Sequence, residues 1–253
     1  MQPIIFLQNF LPKHVNRRAD RIRLTALETF LHFFWPRHMR IRTDRILMED
    51  HRAIYFAIPK VACTSLKFLV AEAMGREVTG NVHFHKFPKV YDLKKTHYSE
   101  YFKFCFVRNP FDRVLSCYLH KFKQGKDREE GFVKKGVYLP FAEYGLFHPG
   151  TSFGEFVKGI SEIDDNDADA HFRSQHAFIR DGQRDIPMDF IGRLETLGPD
   201  VSHIAEKLGF PDVPLHHMEK TDHAGYRQYY TADTRKLVAR RYGEDLERFG
   251  YSF

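Results

Sequence analysis

A strand, a tight turn and a helix, written twice in the same order within residues 54–122, constrain this chain more than any other feature. The first copy is IYFAIPKVACTSLKFLV, residues 54–70. Ile54-Tyr55-Phe56-Ala57-Ile58 is a short apolar run rich in β-formers, as expected of a strand covered on both faces. Pro59 ends it, because proline cannot donate to a sheet ladder. From Thr64 the apolar residues Leu66, Leu69, Val70 and Ala73 follow a helical period that stops at Gly75. The second copy runs from the strand Tyr101-Phe102-Lys103-Phe104-Cys105-Phe106-Val107 through the break Arg108-Asn109-Pro110 into a helix over 111–122. Val114, Leu115, Tyr118, Leu119 and Phe122 make its buried stripe. Pro110 suits the helix start, where its missing N–H would be unpaired anyway. Two such units predict a mostly parallel α/β sheet with flanking helices and right-handed crossovers.

The remaining periodic segments extend this plan. Residues 153–160 read as a short helix, 189–195 as a third strand, and 201–208 as a helix ending at Gly209. The amphipathic stretch 232–249 reads as one C-terminal helix with Leu237, Val238, Tyr242, Leu246 and Phe249 on its core side. Thr25 to Leu31 is expected to be helical, and 123–150 to be a surface excursion. The acidic run Asp164-Asp165-Asn166-Asp167-Ala168-Asp169 fails as a calcium loop, since Ala170 replaces the turn glycine and His176 the terminal glutamate. It reads as a solvated helix start.

Strand, turn and helix start together aim backbone N–H groups and a helix dipole at an anion. A Walker loop needs GxxxxGK[ST], whereas here the lysine comes first and Val61-Ala62-Cys63 contains no glycine, so ATP-dependent phosphoryl transfer by that device is disfavoured. A shorter loop suits a single 5′-phosphate, surrounded by the N–H groups of Ala62 to Leu66 and the hydroxyls of Thr64 and Ser65. Lys60 can reach the bridging oxygen where negative charge develops as a distal group leaves. In the second unit Arg108 is a planar multi-donor cation able to grip a separate phosphate, with Ser116 two helical turns further in. Taken alone, Ser116 reads first as a hydroxyl bonded to its own helix, and only the pairing with RNPFDR and PKVACTS turns it toward the phosphate.

The net charge of +6 favours an anionic partner without choosing among nucleotide, nucleic acid, acidic glycan and membrane surface. Cys63, Cys105 and Cys117 form no CxxC pair and are expected to be reduced, which suggests a reducing, cytoplasmic setting. No stretch approaches the roughly 20 apolar residues that span a bilayer. Residues 1–45 are basic and aromatic and are set apart from a domain over 46–253. They suit either peripheral membrane contact or a packing arm.

PKVACTSLK together with FVRNPFDRVLSCYLHKF resembles the two cofactor motifs of sulfotransferases that use 3′-phosphoadenosine 5′-phosphosulfate, specifically the carbohydrate-type family that includes the chondroitin sulfotransferases and bacterial relatives. The likeness extends to DAHFRSQHAFI, DFIGRLETL and DLERFGYSF, over roughly residues 52–253. It implies a single domain with the P-loop-like α/β sulfotransferase fold, no metal, and adenosine 3′,5′-bisphosphate as product. Residue by residue, Lys60, Val61, Ala62, Cys63, Thr64, Ser65 and Leu66 match the 5′-phosphosulfate loop, and Arg108 and Ser116 the 3′-phosphate site. The acceptor implied is a carbohydrate hydroxyl rather than nucleic acid. The eukaryotic members are membrane-anchored and disulfide-bearing, features this sequence does not display.

Sulfuryl transfer needs a base for the acceptor proton, and a histidine suits it. Relatives place one beyond the first unit, which makes His83 and His85 in VHFHK the candidates. They alternate, so only one can face inward on an extended segment, and His85 is taken first. His171 and Arg173 in DAHFRSQH are assigned to the acceptor or cofactor side. Lys220, Tyr226 and Arg227 in EKTDHAGYRQYY combine cations with aromatics, suited to adenine and the 3′-phosphate, or else to packing on the core. Two rivals stand beside this reading: a metal-dependent kinase with a non-standard phosphate loop, and a non-enzymatic basic protein binding nucleic acid or membrane.

Overall fold

The computed structural model describes residues 44–91, 93, 98–123, 133–134, 137–182, 184–210 and 225–253. The expected helix over 25–31, the basic N-terminal arm before Asp44 and the site candidate Lys220 lie outside the described residues.

In chain order, β1 (Asp44–Met48) and β2 (Ala53–Ala57) lead to α1 (Cys63–Ala73), and β3 (Phe102–Val107) leads to α2 (Pro110–Tyr118). A ribbon of β4 (Val133–Lys134) and β5 (Val137–Tyr138) precedes the short α3 (Leu139–Ala142) and then α4 (Phe153–Ser161). A second ribbon, β6 (Arg180–Asp181) with β7 (Arg184–Asp185), comes before β8 (Phe190–Arg193) and α5 (Leu197–Leu208). The chain closes through α6 (Ala232–Arg241) and α7 (Gly243–Phe249).

The central sheet has the order β1-β2-β3-β8. β2 and β3 pair in parallel, with Tyr55 opposite Phe104, and β3 pairs in parallel with β8, with Cys105 opposite Ile191. The parallel α/β architecture read from the repeated unit is thus present. β2 is buried along its whole length, as its apolar run requires. β8 carries Gly192 opposite Phe106, and a Cβ there would run into the Phe106 ring, so the close approach of the two strands depends on glycine.

β1 is an addition that periodicity did not reveal, and it runs antiparallel to β2. Its Asp44-Arg45 start looks polar, yet tertiary partners accommodate both charges. Lys67, buried on α1, bonds Asp44 Oδ2 at 2.7 Å, and Arg45 donates to the Arg180 carbonyl at 2.9 Å. Burial works to raise the Asp44 carboxyl, but Lys67 and Lys89 hold it below its ordinary value. The sheet therefore takes in two residues from the segment set apart as 1–45.

Other differences are local. α2 tightens its stripe but passes into a π-helical turn over Leu119–Lys123, which turns His120 and Lys121 away from the regular helical register. The stretch 232–249 is two helices rather than one, broken at Tyr242. Buried Tyr242 donates to the Phe172 carbonyl at 2.6 Å, and buried Asp245 accepts the backbone N–H groups of Gln175 and His176, so the chain bends to bring both inward. The acidic run starts no helix: Asp165 Oδ1 accepts from the Ser174 N–H and from Arg241, and Asp169 turns to His171.

Two apolar clusters fill the interior. One joins β1, β2 and β3 to α1 and α5. The other gathers α2, α4 and α6 around Phe141, Phe156 and Phe172. The two strand–helix junctions fall between them, at the carboxyl ends of β2 and β3, where ligands of open α/β sheets bind.

Candidate anion and acceptor site

At the first junction the backbone does the work that glycines do elsewhere. Lys60 has φ 67° and Ala62 φ 52°, both in the left-handed region that non-glycine residues avoid. Two such residues in three turn the chain sharply from β2 into α1. Ala62 sits at the N-cap with no side-chain cap bond, and the helical ladder begins only with Leu66 N–H to the Ala62 carbonyl at 3.0 Å. The N–H groups of the first turn therefore point outward with the positive end of the helix dipole. Thr64 at the helix start is exposed and Ser65 is buried.

Lys60 is half-buried beside this turn. Burial lowers its ammonium to about 8, and the cations of Lys121 and Arg108 act in the same direction. Among the described residues no carboxylate pairs with it. A partly desolvated cation at an uncapped helix start is a site for an anion.

The second junction is closed. The Asn109 side chain accepts from Phe111 N–H at 3.0 Å and donates to the Ser252 carbonyl at 2.8 Å and to the Tyr226 hydroxyl at 3.2 Å. Glu195 accepts the Asn109 N–H at 2.8 Å. Gln175, fully buried, pairs with both backbone groups of Arg108, at 2.9 and 2.8 Å. What remains for a ligand is side chain. The Arg108 guanidinium bonds Asp112 at 2.8 Å and the Lys60 carbonyl at 3.2 Å. Three of its five N–H groups are so engaged, which leaves donors for a second anion. Ser116 is buried on α2, 3% exposed.

Buried Arg113 joins the two junctions. It donates to the Pro59 carbonyl at 3.0 Å, to Arg173 at 2.7 Å and to Ala170 at 3.1 Å. The residue before Lys60 is thereby tied to the carbonyls on either side of His171. With Gln175 on Arg108, the 170–175 segment fastens both junctions to one another.

Around Lys60 stand several histidines. His171 Nδ1 bonds Asp169 Oδ1 at 2.6 Å. His83 Nε2 lies 3.0 Å from Thr64 Oγ1, at the rim of the α1 turn, and burial of its ring together with Lys67 keeps it neutral down to about 4. His85 packs edge-on against Phe87 with its Nε2 buried and unpaired among the described residues. His120 on the π turn is held neutral down to about 3, chiefly by burial and then by Lys60 and Lys121. The Lys121 ammonium lies 3.6 Å from the centre of the Tyr138 ring.

The sequence candidates thus divide. Lys60, Ala62 to Ser65, Arg108, His83 and His171 share one region. Arg173 directs its guanidinium to the carbonyls of Asp165 and Asn166, each at 3.0 Å. Tyr226 stacks on Phe111, and Arg227 donates to the Phe253 carbonyl at 3.1 Å, within an aromatic group beneath α2. Arg113, His120, Lys121, Asp169 and Gln175 were missed. The first three lie within the quoted FDRVLSCYLHKF, but helical periodicity assigned Arg113 no buried partner and could not show the π turn. No metal-holding group of three or more His, Cys, Asp or Glu occurs among the described residues.

The central sheet thus carries two strand–helix junctions side by side, at the carboxyl ends of β2 and β3. The chain belongs to the sulfotransferase family, whose profile matches residues 44–252. It is similar to carbohydrate sulfotransferase 12 of Xenopus laevis, 25% identical over 251 residues, covering 81% of this chain and 59% of that protein. It is also similar to human carbohydrate sulfotransferase 9, 28% identical over 238 residues with 82% and 53% covered. Zebrafish (Danio rerio) carbohydrate sulfotransferase 14 is 27% identical over 179 residues, with 66% and 48% covered. The chain spans about half the length of these curated relatives. No solved structure matches it. Among the described residues no helix is long and apolar enough to cross a membrane.

Proposed function

We propose that this chain transfers a sulfuryl group from 3′-phosphoadenosine 5′-phosphosulfate to a hydroxyl of a carbohydrate. The observation that carries the reading is the half-buried Lys60 ammonium at the uncapped start of α1, with no carboxylate partner among the described residues. Family membership and the names of the carbohydrate sulfotransferase relatives support the same activity and acceptor class.

The residues present fit this cofactor, which when bound supplies the activated sulfate. Residues 61–66 would hold its 5′ end through first-turn N–H groups and the Thr64 hydroxyl. Lys60 would stabilise the negative charge left on the departing phosphate oxygen, a contribution of about 10²–10³-fold for one well-placed donor. Arg108 would meet the 3′-phosphate with its remaining donors, and Ser116 belongs to the same subsite. Tyr226 bonds Asn109, with the Arg227 guanidinium over its ring, on the side proposed for the adenosine. His83, bonded to Thr64, orients the loop hydroxyl. Arg173 supports the acceptor side by bracing the loop that carries His171.

Calorimetric titration with adenosine 3′,5′-bisphosphate, beside AMP and ATP and with or without Mg²⁺, tests this reading. Tight, metal-independent binding of the bisphosphate over AMP and ATP is expected. A preference for ATP with Mg²⁺ would move the assignment to a kinase. Arg108→Ala should weaken the bisphosphate by a few kcal/mol and AMP much less. Equal weakening would remove Arg108 from the 3′-phosphate.

A further inference from the structure

Sulfuryl transfer needs one more group, a base for the proton of the attacking hydroxyl, and several histidines near Lys60 compete for it. We infer that His171, held by Asp169, takes that proton. The inference depends on the sulfuryl-transfer reading for its reaction, and on geometry for its residue.

The geometry separates His171 from His83 and His85. Asp169 Oδ1 accepts the His171 backbone N–H at 2.9 Å as well as Nδ1 at 2.6 Å, so one carboxylate oxygen fixes both the chain and the ring. A carboxylate on Nδ1 places the ring proton there and leaves the lone pair on Nε2, the arrangement a general base requires. Among the described residues Nε2 of His171 has no hydrogen-bond partner. The ring meets Tyr138 and Phe141 edge-on, at 5.6 and 6.5 Å between centroids, which limits its rotation. Its side chain is still 25% exposed, enough to meet a solvent-borne hydroxyl. Arg113 bonds the carbonyls of Ala170 and Arg173 and that of Pro59, so the segment bearing His171 is anchored to the residue before Lys60. By contrast, the Nε2 of His83 is occupied by Thr64, and that of His85 is buried in apolar packing.

The step balances. The hydroxyl oxygen forms a bond to sulfur while the bond from sulfur to the bridging phosphate oxygen breaks. The hydroxyl proton passes to His171 Nε2, and the electron pair of the broken bond remains on the phosphate oxygen beside the Lys60 ammonium. His171 then returns its proton to solvent. Facing the ring are Asp169 from its own loop, Lys60 from the first junction, His83 from the turn over 82–84, His120 and Lys121 from the π turn, and Tyr138 from β5. Burial lowers His171 from its ordinary imidazole value, Asp169 opposes that, and Lys121 and Lys60 add to the lowering, which favours the neutral ring a base requires.

Nitrogen-15 NMR of the imidazole rings, assigned by comparison with His171→Gln, decides the tautomer directly. In wild type at pH 7 the proton is expected on Nδ1, and in Asp169→Asn the two tautomers should mix. A proton on Nε2, or an imidazolium at pH 7, overturns the inference. Sulfate transfer to desulfated chondroitin gives the second readout. His171→Gln should lower turnover by about 10²-fold or more while adenosine 3′,5′-bisphosphate binds as in wild type. Asp169→Asn should lower turnover less and move the acid limb of the rate profile to lower pH, a shift that a purely structural carboxylate would not produce. Turnover in His171→Gln within threefold of wild type overturns the assignment to His171 and leaves the sulfotransferase reading intact. Failure of the wild-type protein to bind the bisphosphate overturns that reading, and with it the proton-transfer role.

Discussion

The two strand–helix junctions share a pattern in sequence and differ in what they leave open. At the start of α2 the backbone is satisfied by its surroundings: Asn109 caps the helix, Gln175 takes both groups of Arg108, and Glu195 takes the Asn109 N–H. At the start of α1 no side chain caps the helix, and two left-handed non-glycine residues hold the turn. A closed junction can offer a ligand only side chains, which suits a peripheral phosphate gripped by arginine. An open junction offers backbone N–H groups around a reacting centre, where fixed dipoles need no reorganisation. On the reading proposed above, the second junction would position the ligand and the first would carry the chemistry.

The sharpest way to break this comparison is to cut the link between the junctions. Arg113→Met leaves the carbonyls of Pro59, Ala170 and Arg173 without their buried donor, and should destabilise the fold by about 3–5 kcal/mol in urea unfolding. A loss below about 1 kcal/mol would mean that other contacts suffice to hold the two junctions together. Lys60→Met should reduce turnover by about 10²–10³-fold and yet raise the melting temperature. The sign follows from linkage. The unfolded chain holds Lys60 protonated up to its ordinary value near 10.5 and the folded protein only to about 8. The charged residue therefore costs stability at neutral pH, and this cost fades as pH rises from 8 toward 10.5. A melting temperature that falls in Lys60→Met would contradict the open-junction picture. In wild type the same lysine should set an alkaline limb of the rate profile near pH 8, with the acid limb below the usual histidine value because His171 is lowered.

At the closed junction, Asn109→Ala removes the cap and should cost about 1–2 kcal/mol of stability, with bisphosphate binding weakened little. Equal damage to stability and binding would show that this backbone also meets the ligand. The smallest effect belongs to Ala62→Gly, which relieves a left-handed alanine and should shift stability by no more than about 1 kcal/mol in the favourable direction. A loss of several kcal/mol would mean that the Ala62 methyl packs a contact worth more than the strain.

Much of this was legible from the chain alone because it is local. Apolar runs closed by proline, helical spacing from Thr64 and from Phe111, and Gly75 and Gly209 as stops each concern residues within a few positions of one another, where sterics and periodicity decide. The turn after β2 and the arginine at the end of β3 stood out for the same reason: each is a pattern within a single turn of chain. β1 was hidden because its polar first residues are balanced by Lys67 and Arg180 carbonyl contacts from elsewhere. The bend at Tyr242 was hidden because Phe172 and the Gln175 backbone, distant in sequence, supply its partners.

The sequence by itself determined the parallel α/β plan, the two junctions and the residue types at each. Tertiary structure alone decided which junction stays open, that Arg113 and Gln175 bind the two together, and that Asp169 holds the His171 ring through Nδ1. The physical reason is that a hydrogen bond between residues 57 or 67 positions apart leaves no periodic trace in the chain. Its partners meet only after the sheet has brought the ends of β2 and β3 side by side.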